Sequence, residues 1–122
     1  MSRTRASAKQ AGARFERDMA DGLAEALGDD RIDRMVKRGN KDRGDLTGIR
    51  CHGQPVAVEV KNTARMDLPA WTREAEIEAG NLDALAGVVI SKRHGVGDPL
   101  EQWVHMTVRE FLALLTGQRV PR

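Results

Sequence analysis

Val56-Ala57-Val58-Glu59-Val60-Lys61-Asn62 sets a valine at every second position, the period of a half-buried β-strand. Val56, Val58 and Val60 then share one face, while Ala57, Glu59 and Lys61 share the other. A carboxylate and an ammonium two residues apart on a strand face are commonly a solvated ion pair. They are also half of a divalent-cation site if a second carboxylate comes within reach. The segments upstream decide between these readings.

Leu46, Ile49 and Cys51 read as a strand, and His52-Gly53-Gln54-Pro55 as the turn that returns the chain into the valine strand. A hairpin centred on Gly53 sets Asp45 opposite Lys61 and diagonal to Glu59, with backbone positions about 7 to 8 Å apart. Both carboxylates then lie on one face and can meet on a single cation. A slip of one residue would turn them to opposite faces. Asp45 is delivered by Gly39-Asn40-Lys41-Asp42-Arg43-Gly44, a loop by its composition. Arg31, Arg34, Lys37, Arg38, Lys41 and Arg43 stand against only Asp33 and Asp42 in this region, which makes it a candidate phosphate-binding surface.

The remaining periodicities complete an α/β pattern. Residues 1 to 6 are polar, basic and aperiodic, and read as a flexible tail. A helix follows from Ser7 to Gly28 with Phe15, Met19 and Leu23 on its apolar stripe and Glu16 beside it. Ile32 to Arg38 is a short strand. Pro69 opens a second helix carrying Trp71, Ala75 and Ala79, with Glu74, Glu76 and Glu78 among them. Ala86 to Ser91 is an apolar run typical of a strand covered on both faces, and Gln102 to Met106 is the last strand. Thr107-Val108-Arg109-Glu110 matches a capping box ahead of a final helix that stops at Gly117, leaving 118 to 122 as a C-terminal tail. The order is helix, three strands, helix, two strands, helix.

A chain of 122 residues, 40% hydrophobic and 31% charged, fits one soluble domain. No apolar run is long enough to cross a bilayer, and the segment Met1 to Arg5 lacks the apolar core of a secretory signal, so a cytoplasmic address is expected. Cys51 is the single cysteine, which excludes an internal disulfide and a cysteine-built zinc site. His52, His94 and His105 are scattered and read as surface or structural residues; Trp71 and Trp103 read as core or contact residues.

Asp45, followed on the next strand by Glu59-Val60-Lys61, resembles the core of the PD-(D/E)xK nuclease superfamily. Gly12-Ala13-Arg14-Phe15-Glu16-Arg17 is similar to the opening motif of archaeal-type Holliday junction resolvases within it, and the resemblance runs from about Lys9 to Lys92. It implies a restriction-endonuclease-like single domain: a mixed central sheet of about five strands flanked by helices. Gly44 stands where the family has proline, Asn40 where a serine is common, and Glu74 and Glu78 occupy a helix in which a glutamine would be expected.

In that scheme Asp45 and Glu59 bind Mg²⁺ directly, the carbonyl of Val60 is a third protein oxygen, and Glu16 acts through a metal-bound water or a second metal. Mn²⁺ is expected to substitute. Lys61 orients or deprotonates the attacking water, or stabilises the pentacovalent phosphate. Arg14, Lys37, Arg38, Lys41, Arg43, Lys92 and Arg93 contact DNA. The expected activity is that of a structure-selective endonuclease, a homodimeric Holliday junction resolvase in the cytoplasm of a prokaryote or a phage-infected host. The alternatives are a nuclease of the same fold acting on flaps, nicked or linear duplex, and a non-catalytic nucleic-acid-binding module that keeps the basic surface.

Overall fold

Alternating valines and the all-apolar run from Ala86 meet as neighbouring strands at the centre of the molecule. The computed structural model describes residues 3 to 121. The elements are α1 (Arg5–Leu27), β1 (Asp33–Arg34), β2 (Leu46–Thr47), β3 (Arg50–Cys51), β4 (Gln54–Lys61), α2 (Leu68–Leu82), β5 (Ala86–Ser91), β6 (Trp103–His105) and α3 (Val108–Thr116), with a short 3-10 turn at Pro99–Glu101. The sheet runs β1-β2-β4-β5-β6, with β3 also paired to β4. It is mixed: β4 and β5 are parallel and the other pairs antiparallel. Parallel neighbours need a crossover, and α2 supplies it. The α/β class, the single domain and the helix-flanked mixed sheet are as expected.

The valine strand is buried on both sides rather than one. Val56, Val58 and Val60 join Phe15, Met19 and Ala20 of α1, with Leu46, Val88 and Ile90, in the main core. Ala57 packs on Ala79 and Ala84 across the opposite face, and Val89 beside it meets Trp71 and Ala75 of α2. Glu59 and Lys61 therefore point towards α2, and Glu59 is 4% exposed. Valine alternation reveals the α1 face alone, because the α2 face of β4 is written in a small residue and two charges.

The hairpin differs from its expected form at both ends. Its turn is His52–Gly53, both at positive φ, while Gln54 and Pro55 already belong to β4. Arg50 faces Pro55 but Leu46 faces Val58, so four steps on one side match three on the other. This is a bulge, located at the positive-φ Gly48, and it splits the expected strand into β2 and β3. The register at Leu46 is two residues from the expected one. An even shift keeps faces intact: Leu46 and Val58 look to α1, so Asp45 and Glu59 both look to α2.

Other boundaries moved for local reasons. The expected tail of residues 1 to 6 is part helix, since Thr4 caps α1 by accepting from Ser7 N–H at 3.0 Å; residues 1 and 2 lie outside the described residues. The expected strand from Ile32 to Arg38 shortens to Asp33–Arg34, followed by one more bond from Met35 N–H to Asp45 O at 2.7 Å. The capping box does not form. Thr107 is the N-cap of α3, but its hydroxyl turns to Glu76, and Glu110 accepts from Gly87 N–H of β5 at 3.0 Å. The C-terminal segment is docked, with Arg119 paired to Asp83 at 2.6 Å.

At Gly87 the backbone of α2 comes so close that a Cβ would lie 2.1 Å from Ala75 O. Gly87→Ala is expected to lower stability by about 2 to 3 kcal/mol through overpacking. Gly12→Ala, with open space around it in the middle of α1, is expected to raise stability by about 0.5 to 1 kcal/mol. Urea unfolding of the two variants checks both signs, and equal effects would contradict this packing.

Candidate metal centre

Asp45 reaches the α2 face because Gly44 turns the chain there. Gly44 has φ +101°, and a Cβ on it would lie 3.0 Å from Val58 O. Proline, fixed near −65°, has no access to this conformation, whereas glycine adopts it without strain. Asp45 N–H then donates to Val58 O at 2.8 Å. Two residues further along β4, past the end of β2, Val60 N–H would lack a strand partner. Asp45 Oδ2 accepts it at 2.8 Å. The aspartate thus completes the sheet ladder with its side chain, and its other oxygen faces Lys37 Nζ at 3.7 Å.

Glu59 meets α2 instead of solvent. Glu74 and Glu78 are four residues apart on that helix, on one stripe with Trp71 and Ala75. Carboxylate oxygens of Asp42, Glu59, Glu74 and Glu78 all lie within 4.8 Å of one another. Lys61 is ion-paired with Glu74 at 3.0 Å. No hydrogen-bond partner reaches Glu59 Oε2 or either oxygen of Glu78, and Glu78 is wholly buried. A cluster of acidic residues with buried, unanswered oxygens could hold a metal ion.

The electrostatics follow from that crowding. Burial, then contact with Asp45, Glu78 and Glu74, drives the Glu59 carboxyl far above the ordinary range. Burial likewise pushes Glu78 up to about 8. Burial works against ionisation of Asp42 and Glu74, but contact with Glu78 and the Gly44 N–H lowers the first, and contact with Glu59 and Lys61 lowers the second. Lys61 is penalised by burial, yet Glu74 and Glu59 raise it above its ordinary value and keep it charged.

Glu16, expected beside these groups, is outside the four-carboxylate group and is paired with Arg34 at 3.3 Å. Burial first, and then the charge of Asp45, raises its carboxyl. Val60, like Val58, directs its backbone groups to the β2 side of β4, so its carbonyl lies on the edge that Asp45 caps. Arg14, Lys37, Arg38, Lys41 and Arg43 are exposed, the last four on the loop from Met35 to Gly44 that curls round a cavity of about 210 Å³. Lys92 and Arg93 are engaged internally. Lys92 Nζ donates to Arg93 O at 2.7 Å and also to Val96 O, while Arg93 stacks over Trp103 at 4.4 Å and donates to Glu101 O.

Sequence reasoning left Glu74 and Glu78 without a role and counted Asp42 merely as a charge in a basic loop. The available signal was the helical stripe: Trp71, Ala75 and Ala79 are buried, and Glu78 falls among them. Asp42 carried no such signal, because its place depends on how the loop folds back. Asn81 Nδ2 of α2 donates to Asp42 O at 2.7 Å, and Asp42 Oδ1 accepts from Gly44 N–H at 2.9 Å. His52, His94 and His105 bond to Leu114 O, Thr63 O and Ser91 Oγ. Trp71 is core.

Among the described residues no helix is long and apolar enough to cross a membrane. No family model matches the chain, and comparison with curated proteins and with solved structures finds no match.

Because Glu78 titrates near 8 in the fold and at the ordinary 4.5 when unfolded, the folded state binds the extra proton between those values. In chelator its contribution to stability is therefore complete below about pH 4.5, shrinks as pH rises through that window, and is gone above about 8. Glu78→Gln removes this component. Urea midpoints of the two proteins from pH 4 to 9 should diverge in favour of the glutamine variant as pH rises; parallel curves would place the proton elsewhere.

Proposed function

We propose that the chain is a divalent-metal-dependent structure-selective DNA endonuclease that acts as a Holliday junction resolvase. The observation that carries this reading is the convergence of Asp45 and Glu59, from adjacent strands, on one desolvated face with Lys61 next along the strand and an exposed basic loop leading into it. A binding module would need the basic loop. It would gain nothing from burying carboxylates, whose desolvation opposes folding.

Asp45, Glu59 and the Val60 carbonyl would hold Mg²⁺, or Mn²⁺ in its place; hard oxygen donors at a strand end suit such an ion. When bound, the ion lowers the pKa of a water and neutralises charge growing on the phosphate. The chain's own groups do the rest. Asp45 is held in place by the Val60 N–H. Lys61, kept charged, directs its ammonium towards water or phosphate oxygen, with Glu74 as its resting partner. Glu16 closes the α1 side next to Asp45.

Lys37, Arg38, Lys41 and Arg43 grip backbone phosphates and read shape rather than base edges. Arg14 extends this surface. Lys92 and Arg93 contribute after release from their internal partners. Two matched nicks across a nearly symmetric junction call for a two-fold dimer, and the exposed apolar side chains Val108, Phe111, Leu112 and Leu115 of α3 give such a dimer surface to bury.

Incubation with labelled four-way junctions and matching linear duplex, with Mg²⁺ or chelator, tests the reading. Symmetric paired nicks in the junction alone are expected. Equal cutting of both substrates would make the chain a general nuclease, and binding without cutting would make it a binding module. Asp45→Asn and Lys61→Ala are each expected to lower cleavage by about 100-fold or more while leaving binding within a few-fold. Lys41→Ala should instead weaken binding and reduce the salt slope by about one ion.

A further inference from the structure

The four-carboxylate group does not coincide with the Asp45–Glu59 position. Asp45 is not a member of it, with one oxygen committed to Val60 N–H and the other turned to Lys37. The group is built from Asp42 on the basic loop, Glu59 on β4, and Glu74 and Glu78 on α2. Three separate segments thus aim acids at one point. Glu78 is 0% exposed, and neither of its oxygens has a hydrogen-bond partner. A fully buried carboxylate in that condition is answered by a proton or by a cation.

From this geometry we propose a second divalent-cation site, held by Asp42, Glu74 and Glu78 with Glu59 shared between it and the Asp45 position. Its role is to fasten the basic loop to α2. Ligand oxygens within 4.8 Å of one another are close enough to share one cation bound at about 2.1 to 2.6 Å. An all-oxygen donor set of this kind suits a hard divalent cation such as Mg²⁺, Mn²⁺ or Ca²⁺.

Two consequences follow from the contacts already in place. Asn81 holds the loop through the backbone of Asp42, and the cation adds a hold through its side chain, so Lys37, Lys41 and Arg43 become fixed relative to the sheet. The cation also competes with Lys61 for Glu74, to which Lys61 is bound at 3.0 Å. Occupancy releases that ammonium. This second consequence rests on the nuclease reading of Lys61; the site itself does not.

Mn²⁺ titration at neutral pH, with free ion counted by its electron paramagnetic resonance signal and heat by calorimetry, tests the site without any cleavage assay. The wild-type chain is expected to bind two ions. Glu78→Gln and Asp42→Asn should each weaken one of them by about 10-fold or more, while Asp45→Asn leaves that ion in place. Asp42 lies on an exposed loop, so its variant reports even if Glu78→Gln fails to fold. Wild-type binding curves from both foldable variants, or from Asp42→Asn alone if the other does not fold, would overturn the proposal. So would the absence of Mn²⁺ binding. An ion lost in Asp42→Asn but kept in Asp45→Asn, in a chain that cuts no DNA, would uphold this site and sink the nuclease reading.

Discussion

Glu59 is the residue that the rest of the site accommodates. It sits on the central strand of a mixed sheet, between α2 and a core built by α1, and it is nearly wholly buried. Every neighbour answers that burial in part. Lys61 brings a positive charge two residues along, and Glu74 takes up that charge. Asp45 adds a second acid, tethered by a backbone N–H so that it cannot swing away. Concentrated negative charge on a desolvated face is unfavourable for a metal-free fold, and the raised carboxyls of Glu59 and Glu78 are its visible sign.

Burial of this kind relocates the chemistry from a strand to a junction of three elements. The strand fixes spacing, since Glu59 and Lys61 must share a face. The helix fixes depth, because Glu74 and Glu78 stand one turn apart above it. The loop fixes access, with its cations exposed and the Asp42 carboxylate close to the other three. A site shared in this way can be strong without a deep cleft, and its acids are kept apart from the basic loop's outer surface by a few residues of backbone.

Much of this was legible in the chain, and the exceptions have physical causes. The valine period revealed the α1 face of β4, and the acidic and basic residues between the valines marked the charged face opposite it. Helix α1, the buried strand at Ala86 and the final helix followed from periodicity and glycine stops. The register was displaced by two residues, one because the turn centres between His52 and Gly53 and one because of the bulge at Gly48, which leaves no sequence mark stronger than one more glycine. The displacement was even, so Asp45 still faced the right way. Glu74 and Glu78 were hidden for a different reason: glutamate on a helix usually means solvent, and only the packing of Trp71 and Ala75 shows that this stripe points inward. The capping box failed because Glu110 had a more demanding donor to satisfy on β5.

That last contact has a further effect at the sheet margin. β5 continues past the end of β6, and Gly87 N–H would face outward there as a free ladder donor; Glu110 occupies it. The two outermost strands are two and three residues long, while the longest strand, of eight, is in the middle. An incoming chain seeking to extend the sheet finds short margins and, beyond β6, a donor already taken. The fold thus limits lateral polymerisation by strand addition with a carboxylate whose position in the sequence resembled nothing more than a helix cap.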